Sequence, residues 1–382
     1  MQTSDKQQRT SIDPPSLAEL FLSFLRLGLT AFGGPAMMAY VADLAVGRKK
    51  WIGRETFEDG VALAQSIPGA TAMQTVAYVG LQARGVGGAL VAYIGFGLPA
   101  FLLMLGFSAL YEASRDIGWV TSIFSGLQVI VVAIVSHAAF SFGSTSLKRP
   151  VHVVLAAVAA AAFGCAVNPF YVILGAALAG ALLLRAGPGG QQAATRGEAH
   201  DMRPVLILVA VLAFGLLSLF ILRPELLNLA VLMLKVDLFA FGGGYASIPL
   251  MLHEIVYGRG WMDAHSFMDG IALGQVTPGP IVITATFVGY LTQGLPGALV
   301  ATLAIFTPSF LLLVVTARFF DRLKGSPLFT RAIQGVLASF VGLLLYVAVK
   351  FATAVPWDLL HALMLLGAFI ALFRRIELLY IV

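Results

Sequence analysis

The sequence predicts an all-α polytopic membrane protein. It predicts two homologous repeats of inverted topology, with broken or re-entrant helices near the bilayer midplane. Three observations carry this. Hydrophobic residues fill 59% of the 382 positions and charged residues only 11%. That is too little charge to cover a soluble surface of this size. The apolar residues form unbroken runs, such as 89–110 and 151–166, not the short alternating segments of a β-barrel. Short motifs recur at a fixed offset of 209 or 210 residues. Disorder is excluded by the hydrophobicity, and a disulfide framework by the single cysteine, Cys165.

Each element follows in chain order. Residues 1–16 are polar and lack an apolar signal core, so they read as a retained cytoplasmic tail. The apolar stretch 17–46 is cut by Gly33-Gly34-Pro35, and 57–81 is cut by Pro68-Gly69. Continuous spans follow at 88–111, 120–140, 151–166 and 169–184, the last two separated by an Asn168-Pro169 turn. A polar linker, 186–203, precedes a bridging span at 204–222. The broken pattern then returns. Residues 226–255 are cut by Gly242-Gly243-Gly244 and 267–291 by Pro278-Gly279-Pro280, before spans at 296–316, 332–349 and 357–373. The expected domains are the first repeat at 17–185, a cytoplasmic linker at 186–203, and the second repeat with its bridging helix at 204–382.

The repeat is explicit. Leu29-Thr-Ala-Phe-Gly-Gly34 matches Leu238-Phe-Ala-Phe-Gly-Gly243, and Gly60 to Gln65 matches Gly270 to Gln275. Trp51, Pro68-Gly69 and Pro99 match Trp261, Pro278-Gly279 and Pro308. If each broken region returns to its starting side, five spans separate the two sets, and an odd number inverts the second. With the N-terminus inside, most of the 24 Lys and Arg fall on the cytoplasmic side, as the positive-inside rule requires.

Inverted repeats with broken helices are a transporter pattern. A break exposes backbone groups that lipid cannot satisfy, and half-helix N-termini offer positive partial charge to an anion. The candidate binding residues are therefore Gly33, Gly34, Pro68 and Gly69 in the first repeat and Gly242, Gly243 and Gly279 in the second. Gln65, Ser66, Gln275 and Thr277 add donors. Thr71, Gln74 and Thr284 carry less weight, because such groups often bond their own helix. Arg26 and Lys235 occupy equivalent places within spans, where a charge is costly and usually tied to function. Asp237, beside Lys235, reads as its ion-pair partner, which makes Arg26 the preferred cation. Asp59, Asp269, His253 and Glu254 are proton-coupling candidates, with helix capping the favoured reading of Asp59 and Asp269. No spacing suits a metal site, no phosphate-binding loop is present, and no catalytic constellation stands out. No cofactor, no enzyme and no nucleic-acid partner are expected.

The stretch Phe24 to Pro35, with Trp51 and Gln65-Ser-Ile-Pro-Gly69, resembles the first-half signature of the chromate transporter (CHR) family. Lys235 to Gly244 and Gly270 to Pro280 resemble its second half. The resemblance implies a long-chain, two-domain bacterial carrier in the inner membrane that exports chromate and confers resistance to it. Sulfate, also a tetrahedral dianion, is the competing substrate, and an oxyanion permease or passive channel is the alternative. The resemblance puts weight on Arg26, on the glycines and prolines of the breaks, and on Gln65 and Gln275. The sequence leaves open whether the chain works alone or as a homodimer.

Overall fold

The computed structural model describes residues 14–32, 34–184, 203–320, 325–374 and 376. The expected tail and linker lie almost wholly outside these residues, and so does Gly33. The described chain is an all-α bundle, and five of its helices are long and apolar enough to cross a membrane.

The first repeat begins with α1 (Leu17–Thr30), capped by Ser16, whose hydroxyl accepts from the Glu19 N–H at 3.0 Å. Helix α2 (Gly34–Ala42) continues through a π-turn at Asp43–Arg48. Lys49 then reaches back to Glu19 at 2.8 Å, and the Trp51 ring lies 5.8 Å from Phe24. The chain has therefore returned toward the start of α1, and this first broken element is a hairpin. Helices α3 (Arg54–Ser66) and α4 (Thr71–Ser114) flank the Pro68-Gly69 break. Gly60 lies under the Tyr78 ring, where any Cβ would overlap it. Both residues sit about two turns from the break, so these half-helices fold back on each other as well.

Helix α4 has 44 residues, about 66 Å if straight, far more than a bilayer core. It is not straight. Arg84 and Gly85 leave helical geometry, with Gly85 at φ 65°. Gly80 then meets the backbone of Gly88, which a continuous helix would hold two turns away. The chain reverses here, and 86–114 is the first full span. Helices α5 (Gly118–Ser146), α6 (Pro150–Gly164) and α7 (Pro169–Leu183) follow, the latter two opened by N-terminal prolines.

Helix α8 (Arg203–Leu222) buries only Val205 and leaves its other apolar side chains uncovered. The repeat then restarts. Helix α9 (Pro224–Phe239) corresponds to α1. After the Gly242–Gly244 break, α10 (Ser247–Met251) runs into a π-turn at Leu252–Gly258, 209 residues after the first one. Helix α11 (Ala264–Val276) corresponds to α3 and α12 (Thr284–Thr316) to α4. The reversal in α12 falls at Gln293 and Gly294, again 209 residues on. Helices α13 (Pro327–Ala354) and α14 (Leu359–Phe373) begin 209 residues after α5 and α6. Helices α7 and α8 have no counterpart among the described residues. Small residues set the closest packing. Gly180 and Gly335 touch backbone to backbone between α7 and α13, and Gly342 meets Ala156 of α6.

Candidate functional site at the helix breaks

The breaks of both repeats meet in the middle of the bundle, and they meet reciprocally. The Gly69 N–H donates to Ala240 O at 2.9 Å, and the Gly279 N–H donates to Ala31 O at 3.1 Å. Ala240 is the second-repeat counterpart of Ala31, as Gly279 is of Gly69. Gly69 packs on Ser309 and Gly279 on Ala100, again counterparts. Each Pro-Gly break thus fills the break of the other repeat, as a pseudo-two-fold contact between similar halves must. Both glycines have positive φ, 116° and 120°, and a Cβ on Gly69 would strike Ser309 Oγ. Only glycine serves at either place.

The two halves are not equal around this contact. Asp237 is fully buried. Its carboxylate accepts from the Ser309 N–H at 2.7 Å and from Ser309 Oγ at 2.6 and 2.7 Å. Pro308 explains the free N–H, since a proline inside a helix distorts the ladder around it. Ser309 Oγ also accepts from the Ala70 N–H at 3.3 Å. Gln74 braces the same break from within α4, its Nε2 donating to Pro68 O at 2.6 Å. In the first repeat the places of Asp237 and Ser309 are held by Gly28 and Ala100.

Half-helix N-termini gather beside this cluster. Gly243 faces Thr71 at the start of α4, and Gly244 faces Ile281 and Val282 at the turn that opens α12. Tyr245 follows and lies beside Gln275. Gln275 is more than nine-tenths buried, and its Nε2 makes no well-formed hydrogen bond, with only the Tyr245 hydroxyl beside it. A buried amide donor left unmet is costly and calls for an acceptor.

The expected site residues divide accordingly. Gly69, Gly279, Pro68, Gly243 and Gln275 lie at or beside the meeting point. Gly242 packs on Phe142 and Leu337. Gly34 begins α2. Ser66 and Thr277 turn their hydroxyls back to Ala62 O and Gly274 O, as Ser and Thr in helices often do. Gln65 is exposed and lines a shallow, open surface depression of about 400 Å³ with Met38, Ala42, Phe57, Glu58 and Ala62. Arg26 is exposed on α1 and has no ion pair among the described residues.

Three expectations are corrected. Asp237 does not pair with Lys235. Lys235 instead reaches Glu254 at 3.3 Å and lies over the Phe170 ring, and Arg259 closes on the same Glu254 carboxylate. Glu254 is therefore held in an ion-pair cluster. His253 lies against Phe163. Neither Asp59 nor Asp269 caps a helix. Asp263 caps α11, accepting from the Ser266 N–H at 2.8 Å, and α3 starts at Arg54 with no side-chain cap. Asp269 is buried in mid-helix, where it accepts from Tyr111 Oη and Gln128 Nε2, both at 2.8 Å. His265 Nδ1 lies 3.0 Å from Gln128 Oε1. Asp59 is exposed.

Sequence reading missed Ser309, Tyr93, Tyr111 and Gln128, and undervalued Asp237 and Gln74. The signal was the difference between repeats. Asp237, Ser309 and Gln128 are polar where the other half carries Gly28, Ala100 and Leu337.

Comparison with known proteins agrees with this architecture. The chromate transporter family model matches residues 18–181 and again 227–382. An uncharacterized transporter of Methanocaldococcus jannaschii is 40% identical over the whole chain and 95% of its own length. Chromate transport proteins of Cupriavidus metallidurans and Pseudomonas aeruginosa are 32% and 33% identical. They cover 86% and 87% of this chain and 80% and 81% of their own. No solved structure matches. Two family matches, one to each half of a bundle whose broken helices interlock at its centre, make this chain a member of the chromate transporter family, a membrane transporter and not an enzyme.

Proposed function

We propose that the chain carries a tetrahedral dianion across the inner membrane by alternating access, with chromate exported and sulfate competing. The carrying observation is that half-helix N-termini from both repeats meet at Gly243 and Gly244, beside Gln275, whose buried amide donor has only the Tyr245 hydroxyl next to it. Backbone N–H groups and an amide suit an oxyanion in a low-dielectric site. The relatives named chromate transport proteins support the substrate class. Five helical passes between the hairpins of the two repeats support inverted topology, and the cytoplasmic N-terminus rests on the charge asymmetry of the loops. The halves also differ in exposure, since Gln65 lies at a shallow surface depression while its counterpart Gln275 is buried. Access from one side at a time needs such a difference. Arg26, exposed on the first hairpin, would draw the dianion toward the breaks, whereas Lys235 is engaged by Glu254.

The test is flux of labelled chromate and of sulfate in proteoliposomes, with pH and potential imposed separately. Saturable flux that responds to a gradient is expected, and Gln275→Ala should lower it at least tenfold. Arg26→Ala should lower it with normal insertion. Flux insensitive to both gradients would leave a passive channel. Flux of sulfate without chromate would make the chain a sulfate permease.

A further inference from the structure

Asp237 is a buried carboxyl that the binding reading above does not use. It sits at the junction of three elements. It is on α9, it is bonded to Ser309 at the Pro308 kink of α12, and through Ser309 it touches the Gly69-Ala70 break that leads into α4. Its own helix ends at Ala240, whose carbonyl receives the Gly69 N–H. Asp237 is therefore one hydroxyl away from the backbone that opens α4.

The surroundings hold no counter-charge among the described residues. From α12 Asp237 faces Ser309 and no charged group. From α4 it faces the phenol of Tyr93, whose hydroxyl donates to Phe306 O at 2.9 Å. Of the helices α8 and α10, also packed against α9, α10 carries no titratable group and α8 carries only Arg203, at its first residue. On α9 itself, Lys235 is turned to Glu254. The first repeat has Gly28 at the equivalent position, so this charge is placed once, on one side of the pseudo-two-fold contact.

We propose that Asp237 is the proton-binding residue of the transport cycle, protonated when the oxyanion occupies the helix breaks. The proposal rests on the oxyanion reading. A dianion and a carboxylate so close in a low-dielectric interior repel each other, so anion binding favours the neutral acid. One proton from water forms an O–H bond on a carboxylate oxygen, and it returns to water when the anion leaves. Ser309 donates to the carboxyl in both forms. Because linkage is reciprocal, the proton must raise anion affinity by the factor by which the anion raises proton affinity.

The experiment uses the full chain in lipid nanodiscs. Chromate and sulfate binding are measured from pH 5.5 to 8.5 for the wild type and for Asp237→Asn, which keeps the side-chain shape. Chromate itself titrates in this range, so the readout is the ratio of the two proteins at each pH. The wild type should lose up to about tenfold in affinity per pH unit relative to the variant, and sulfate binding to the variant should be flat. Equal pH dependence in both proteins would overturn the proposal. A second readout needs no substrate. A carboxylic-acid infrared band that appears on acidification should be absent from Asp237→Asn, and its persistence there would overturn the assignment. If neither anion binds at any pH, the oxyanion reading fails, and the infrared band alone decides Asp237. Should Asp237→Asn not fold, Ser309→Ala keeps the carboxyl and the backbone N–H but removes the hydroxyl donor. The band midpoint should then shift, and an unmoved midpoint would overturn the proposal.

Discussion

Gly69 and Gly85 both have positive φ, yet they carry different loads. Around Gly85 nothing lies within 4 Å of an added Cβ, so Gly85→Ala meets only the backbone cost of a left-handed residue, about 1–2 kcal/mol. At Gly69 the same Cβ would collide with Ser309 Oγ, which Asp237 pins and which cannot rotate away without losing its bonds. Gly69→Ala should therefore cost on the order of 3–5 kcal/mol, measured as unfolding in detergent. Equal stability loss in the two variants would show that the contact between breaks is soft. Gln74 makes a similar point. It is fully buried with its Nε2 on Pro68 O. It looked like an ordinary helix polar group in the sequence, because the carbonyl it satisfies is freed only when the break folds.

Among elements, α11 is held where its counterpart α3 is not. Asp269 ties it to α4 through Tyr111 and to α5 through Gln128. At the pseudo-equivalent junction, between α3 and the second-repeat helices, the matching places are Asp59, Phe320 and Leu337. The latch is one-sided by composition. Removing one donor from a buried carboxylate costs about 1–3 kcal/mol, so Tyr111→Phe should lower the unfolding midpoint. Tyr111→Phe and Gln128→Leu should also be non-additive in a double-mutant cycle. Strict additivity would mean that the two hydrogen bonds, one to each oxygen of the carboxylate, do not depend on each other. The conformational role of this latch belongs to the same scale. A hairpin freed of it should expose α11, and cysteine labelling at Met268, now buried, would rise in the double variant.

At the scale of the molecule, inverted orientation is the remaining expectation to test. Arg54 and Ala264 are the first residues of α3 and α11. After replacement of the exposed Cys165 by serine, single cysteines at these two places should react with an impermeant maleimide from opposite faces of the membrane. Labelling from the same face would make the repeats parallel. Much of this architecture was legible in the chain itself. Hydrophobicity dictated membrane helices because charge is so costly in lipid. The 209-residue offset dictated the duplication, and Gly and Pro marked the breaks because they are the residues that most readily leave or interrupt a helix. The sequence could not say what each break faces. Long-range proximity alone put Gly69 against Ala240 rather than against its own repeat. It also turned Asp237 to Ser309 instead of Lys235, two residues away on the same helix but facing elsewhere. It buried Asp269 while leaving Asp59 exposed. The sequence alone thus determined which elements exist and where they break, since those depend on local backbone and solvation costs. Only the tertiary structure decided which polar groups share the centre, since burial and partner choice depend on residues that are distant along the chain.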